Sequence, residues 1–349
     1  MKEKIFKFLK NGGLFLILLA ITIYVLFNNF NLNDLKESLQ LINPIFVIIG
    51  ILLMGGFQFC EALNIKRCLR IVGTDASMIQ CIKYAIVGFF FSSITPSSTG
   101  GQPMQVYYMY NDDIKVSHSS LALLLELTSF LIITISLSLF GFIFANDLII
   151  NQIGNIKILL IFGVSFNVIV LILLITCIFF KKASNFLANL AIKILRLFHV
   201  KNVDKVEKSL AKTLEEYQSS VVYVKQNKKM FINILLTSLI QIVCMHSVTF
   251  MIYKAFGLSQ YSYLTILSLQ SILYVAVSSL PFPGAVGVSE SAFMLLFKMM
   301  YSDKILPSAM ILSRFVSFYL CVLITGSVLA IIYLRKGKKG VKNEVNSII

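Results

Sequence analysis

The sequence predicts an all-α polytopic membrane protein, with about six full spans and two oppositely oriented re-entrant helical hairpins forming an inverted repeat. Three observations predict it. The chain of 349 residues is 57% hydrophobic and 13% charged, and several apolar runs exceed the length needed to cross a bilayer. The basic residues behind the formal charge of +15 gather at the ends of those runs, as cytoplasmic loops of membrane proteins do. Two of the runs are interrupted by proline and glycine, at Ser92–Gln102 (SSITPSSTGGQ) and Ser278–Glu290 (SSLPFPGAVGVSE). In lipid, irregular backbone survives only where it is buried in protein or lines a polar cavity, so both breaks mark candidate binding sites.

Taken in order, Leu14–Phe27 reads as a retained first span, because no small-residue cleavage site follows the basic start MKEKIFKFLK. Ile45–Leu63 is the second span, opened by Pro44. Gln80–Thr95 is a helix that halts at Pro96, and Gln102–Tyr110 is a short piece beyond the break. Ser117–Ala145 and Ile156–Phe180 are spans. Phe231–Phe256 and Tyr263–Leu280 follow, then a piece at Val288–Tyr301 and a last span at Leu306–Leu334.

Residues 181–230 read as cytoplasmic amphipathic helices. Val203, Val206, Leu210, Leu214, Tyr217, Val221 and Val224 recur every three or four residues, which is one apolar helix face. Phe186, Leu187, Leu190, Ile194, Leu197 and Phe198 do the same. Both faces fit helices lying on the membrane surface with their lysines toward anionic headgroups.

The positive-inside rule sets the topology. Lys2, Lys4, Lys7 and Lys10 place the N-terminus in the cytoplasm; Lys66, Arg67 and Arg70 place the second loop there; and the basic tail from Arg335 places the C-terminus there. Residues 181–230 carry eleven Lys and Arg against four acids and are placed inside as well. Counting crossings then forces residues 80–116 to enter from the cytoplasm and return to it, with a tip at Pro96–Gly101. Residues 263–301 enter from outside and return, with a tip at Pro281–Gly287. The whole of 1–349 reads as one membrane domain.

The candidate substrate-binding residues lie at the tips and in the span after each. Gly100, Gly101 and Gln102 at the first tip, and Gly284 and Gly287 at the second, present helix starts whose free N–H groups suit a phosphate. Pro96, Pro281 and Pro283 create the breaks. Gln105 has hydrogen-bonding capacity for a headgroup or for a neighbouring helix, and Glu290 suits the start of its helix. Glu126 and Arg314 each sit about eight or nine residues into a span, roughly 12–14 Å deep at 1.5 Å per residue. A charge there costs about 2.5–3.5 kcal/mol, so such residues face a cavity or each other. The expectation is that Arg314 meets a lipid phosphate and Glu126 a cationic group or Arg314 itself. Glu61 reads as structural, near a cytoplasmic end, and Lys83 as a lysine reaching from a span end to the interface.

Other chemistries find no pattern here. The six cysteines form no C-x-x-C pair and the three histidines show no metal-ligand spacing, so neither a metal nor a cofactor is expected. No nucleophile-elbow or Walker A motif marks a hydrolase or an ATP-driven pump, no catalytic residue is assigned, and no nucleic-acid module accompanies the basic charge.

TPSSTGGQPMQVYYM and LPFPGAVGVSESAF, in that order, resemble the two signature stretches of the lysylphosphatidylglycerol synthase transmembrane family, the flippase-like membrane domain of the multiple peptide resistance factor. The resemblance covers about residues 10–335. Its more specific part is P-x-P-G-x-x-G-x-x-E, carried by Pro281, Pro283, Gly284, Gly287 and Glu290. The chain departs from the pattern at Gln105, in a neighbourhood where relatives often have arginine, and at Ala285, where a second glycine is common.

The resemblance implies a multi-pass protein of the bacterial inner membrane that handles phosphatidylglycerol or an aminoacylated phospholipid and contributes to resistance against cationic antimicrobial peptides. It implies lipid and membrane as partners, and admits a separate synthase chain and a second copy of the protein. The alternative reading is a phosphatidylglycerol lysyltransferase, or its membrane subunit. The soluble transferase domain of the full-length factor is not expected, since the chain ends about fifteen residues after its last span.

Overall fold

The computed structural model describes residues 40, 42–145, 157–197 and 203–346, and among them there is no strand. The first span read from the sequence, Leu14–Phe27, lies outside the described residues.

Helix α1, Pro44–Ile71, starts where Asn43 Oδ1 accepts the Ile45 N–H at 3.0 Å and proline fills the first turn, which needs no donor there. It runs two turns past the expected end, because ALNIKRCLRI contains no breaker before Gly73. Helix α2, Met78–Ser93, opens on a Ser77–Gln80 capping box. A first tip, Pro96–Ser98, turns the chain into α3, Gly101–Tyr110. Helices α4, Val116–Phe144, and α5, Lys157–Phe179, are long and apolar. Helices α6, Lys181–Leu197, and α7, Val203–Gln226, are amphipathic, and α8, Lys228–Ala255, is apolar again.

Helix α9, Tyr263–Ser278, leads to a second tip, Pro283–Ala285, and to α10, Val288–Leu296. The remainder is α11, Leu306–Arg314, a π turn at Phe315–Tyr319, and α12, Leu320–Asn346. Five of the described helical stretches are long and apolar enough to cross a membrane: Pro44–Ile71, Val116–Phe144, Leu159–Phe179, Lys228–Ala255 and Leu306–Ile332.

The described residues form two buried clusters, one around each helix–tip–helix unit. The first unit packs Tyr84 of α2 and Met109 of α3 with Leu69 of α1 and Leu121 of α4. The second packs Ile272 of α9 and Phe293 of α10 with Tyr253 of α8 and Met310 of α11. Helices α1 and α8 pack along each other and serve both clusters. Polar contacts add glue between them: Asn64 Nδ2 donates to Ser238 Oγ at 3.0 Å, and Ser238 Oγ lies 3.0 Å from Ser129 Oγ on α4. Outward apolar side chains such as Ile48, Leu52, Ile143 and Ile169 are exposed, as a lipid-facing surface requires.

Two readings are corrected by packing. The apolar face of α7 is not simply a membrane-facing surface, since Tyr217, Val221 and Val224 are buried against the first cluster and α7 packs on α4. Tyr217 donates to the Cys177 carbonyl at 3.3 Å, and burial pushes its phenol pKa up. Lys83 does not reach outward either. It pairs with Asp112 just past α3, and Tyr84 donates to the same carboxylate oxygen at 2.6 Å. This contact ties the open end of the first unit together.

Candidate functional site

The two tips meet. Pro96–Ser98 packs against Pro283–Ala285, and the second tip also touches α2 and α9. Close helix approach brings the first tip into place: a Cβ on Gly101 would stand 2.1 Å from Ser92 Oγ and 2.8 Å from the Gly88 carbonyl, so α2 and α3 pack this tightly only with glycine there. The second tip needs backbone that side chains resist. Gly284 has φ +59°, with the Phe318 ring 2.2 Å from where its Cβ would lie, and Gly287 has φ +87° at the start of α10.

Beside this junction lies a cavity of about 290 Å³. Its aromatic wall includes Phe57, Phe89, Phe130 and Phe282, and its polar wall includes Gln102, Gln105, Gln241, Gln270 and Tyr274. Three charged side chains also line it: Glu61 from α1, Glu126 from α4 and Arg314 from α11. The volume is near the lower end of ordinary ligand pockets, roughly 300–1,000 Å³, and suits a headgroup better than a whole lipid.

Arg314 is held from several sides. Its Nε donates to Glu290 Oε1 at 2.9 Å, and its Nη2 donates to the Gly284 carbonyl at 2.8 Å. Its guanidinium carbon stands 4.6 Å from the Phe318 ring centre. Glu290, 5% exposed, takes the Gly287 N–H on its other oxygen at 2.6 Å and the Tyr319 hydroxyl at 3.2 Å. The π turn explains why Phe318 and Tyr319 both serve this cluster. It widens one turn by about one residue, so positions five apart come onto the face that positions four apart normally share. Two of the five guanidinium N–H donors are used in these bonds, which leaves donors on a side chain that lines the cavity.

This geometry revises the expected pairing. Glu126 and Arg314 do line one cavity, but the partner of Arg314 is Glu290. Glu290 also takes the Gly287 N–H, so the start of α10 is occupied by the protein's own carboxylate. Of the other expected residues, Gln102, Gln105, Glu126 and Gly284 line the cavity. Pro96, Gly100, Gly101, Pro281, Pro283 and Gly287 do not; they shape the tips. Gly100, for example, donates its N–H to Thr95 Oγ1 at 2.9 Å.

Gln105 is buried and turned across α2. Its Nε2 donates to the Tyr84 carbonyl at 3.1 Å and, more weakly, to Glu61 Oε1 at 3.5 Å. The space it fills is the one a side chain on Gly88 would occupy. Glu61 was missed as a cavity residue because its span seemed to stop at Leu63. The unbroken helical stretch to Ile71, read as one element, moves Glu61 away from the end.

A family model described as the lysylphosphatidylglycerol synthase TM region matches residues 12–325. The chain belongs to that family. A relative from Archaeoglobus fulgidus, named "UPF0104 membrane protein", is 24% identical over 319 residues, covering 87% of this chain and 92% of its own length. Family membership and the five long apolar helices together identify a multi-pass membrane protein of the lysylphosphatidylglycerol synthase TM region family.

Proposed function

We propose that this protein binds and translocates an anionic or aminoacylated phospholipid of the phosphatidylglycerol type. The observation that carries the reading is that both tips, Arg314 and Glu126 meet at one cavity of about 290 Å³. In this reading the phosphate takes the remaining N–H donors of Arg314, and a cationic group on the headgroup faces Glu126. Gln102 and Gln105 offer amides to the polar remainder, and the lipid tails stay outside among the apolar helices.

The helix–tip–helix units act here as re-entrant hairpins, residues 80–116 from the cytoplasmic side and 263–301 from the other, within one membrane domain spanning 1–349. Residues 181–230 form its cytoplasmic part. The protein resides in the bacterial inner membrane with both termini in the cytoplasm. Moving a cationic aminoacyl lipid outward would reduce the negative surface charge that draws cationic antimicrobial peptides. A separate synthase chain would supply that lipid, and a second copy of this chain is compatible with the exposed apolar helices.

The test is translocation of labelled phosphatidylglycerol and lysylphosphatidylglycerol in proteoliposomes, beside Glu126→Gln and the double variant Glu290→Gln/Arg314→Met. Movement by the unmodified protein, reduced at least tenfold in both variants, is expected. Movement that survives both would sink the assignment of the site. The second reading, a phosphatidylglycerol lysyltransferase or its membrane subunit, is favoured by the family description, which names a synthase. New lysylphosphatidylglycerol in lipid extracts of cells expressing this chain alone would support that reading instead.

A further inference from the structure

Glu61 and Glu126 both stand on the cavity wall. Among the described residues neither makes an ion pair, whereas the neighbouring cations are engaged elsewhere. Arg314 is held by Glu290 and Lys83 by Asp112, while Arg67 donates to the Asn233 carbonyl at 2.9 Å and to Thr237. Both carboxylates line the one cavity, Glu61 from α1 and Glu126 from α4. Glu126 is 8% exposed and bonds through its side chain to no described group. The donor shown for Glu61 is the long contact from Gln105.

A second, independent feature points the same way. Gln241, from α8, is 1% exposed and lines the same cavity, and its Oε1 has no donor among the described residues. A buried amide oxygen without a donor is costly. The cavity wall therefore holds two carboxylates and an orphan amide oxygen, while the arginine that lines it is ion-paired to Glu290. Other groups near them bring no positive charge. Tyr274 of α9 lines the same cavity and is neutral. His246 of α8 engages Ser271 through Nδ1 at 2.9 Å. Gln270 accepts from Thr249 at 2.9 Å. Two like charges in a site of low dielectric repel each other, and a proton bound by either carboxylate relieves that repulsion.

We propose that Glu61 and Glu126 form a proton-binding site in the cavity, and that lipid movement is coupled to the gain and loss of that proton. The proton passes between a carboxylate oxygen and water admitted from one side or the other, with no other bond made or broken. A cationic headgroup group arriving at Glu126 favours its ionised form and so releases the proton. Lipid and proton then compete for one carboxylate, which is the elementary requirement for exchange. The coupling, though not the proton site itself, rests on the lipid-transport reading.

Two measurements test it. Infrared difference spectra of the purified protein at neutral pH, wild type against Glu61→Gln/Glu126→Gln, are expected to show a protonated-carboxyl band that shifts in heavy water and is absent from the double variant. Gln241→Leu should shift that band, a second readout if the double variant folds poorly. Identical carboxyl regions in wild type and double variant would overturn the proton site whatever lipid does. In proteoliposomes, an imposed pH gradient is expected to raise lipid translocation several-fold in the wild type and to lose that stimulation in Glu61→Gln. Lipid movement indifferent to pH gradient, or driven by sodium instead, would overturn the coupling. If no lipid moves, the transport reading fails by that result, and the infrared band still decides the proton site.

Discussion

Replacing Arg314 by methionine should destabilise the protein severely, and the reason lies in what it leaves behind. Glu290, 5% exposed, would keep the Gly287 N–H and the Tyr319 hydroxyl but lose its counter-charge at 2.9 Å. Removing one partner of a buried ion pair costs about 3–5 kcal/mol, because the remaining charge stays buried without compensation. The Gly284 carbonyl would also lose its donor, at about 1–3 kcal/mol if no water replaces it. Adding Glu290→Gln removes the stranded charge while keeping an acceptor for the Gly287 N–H, and replacing a buried pair by neutral groups is often close to neutral. The double variant should therefore be more stable than Arg314→Met alone, by about 2 kcal/mol or more.

The protein has no tryptophan, so a thiol-reactive dye is the suitable reporter of its thermal unfolding in detergent. Cys60, Cys68, Cys81 and Cys321 are buried and become reactive only on opening. In falling order of melting temperature, the expected ranking is wild type, then the double variant, then Arg314→Met. If Arg314→Met melts with the wild type, or if Glu290→Gln fails to rescue it, the pair does not carry this load and the reasoning is wrong.

Further expectations follow from single contacts. Gly284→Ala should lower stability by about 1–3 kcal/mol in the same melt, since the new Cβ meets the Phe318 ring at 2.2 Å and φ is +59°. A Gly101→Ala variant should be similarly harmed, because the Gly88 carbonyl 2.8 Å away is backbone and cannot swing aside. Tyr217→Phe should cost about 0.5–1.5 kcal/mol through its bond to the Cys177 carbonyl, and an unchanged melt would argue against that bond tying α7 to α5.

The breaks were legible because proline and glycine act locally: Pro96 and Pro283 open the two tips wherever the rest of the chain goes. The long apolar helices were legible for the same reason, since length and hydropathy need no partner to be read. What a face meets was not legible. The period of Tyr217, Val221 and Val224 identifies an apolar stripe equally well whether it lies on lipid or, as found, on α4 and its neighbours. The ion pair was hidden for a different reason. Equal depth suggested Glu126 for Arg314, but the choice falls to the turn at Gly284–Gly287 and to the π turn beyond Arg314, which put Glu290 beside it. Glu61 was concealed by a helix end placed two turns too early.

The central claim is that a headgroup passes where the two tips meet, and a reversible bridge between them tests it most directly. In a variant freed of its native cysteines, one cysteine would be placed within residues 96–98 and one within 283–285, choosing the pair that cross-links on oxidation. Labelled-lipid translocation would then be followed in proteoliposomes before and after reduction. The account predicts that the oxidised protein stops moving lipid and that reduction restores the rate. Translocation at an undiminished rate through the bridged protein would contradict it.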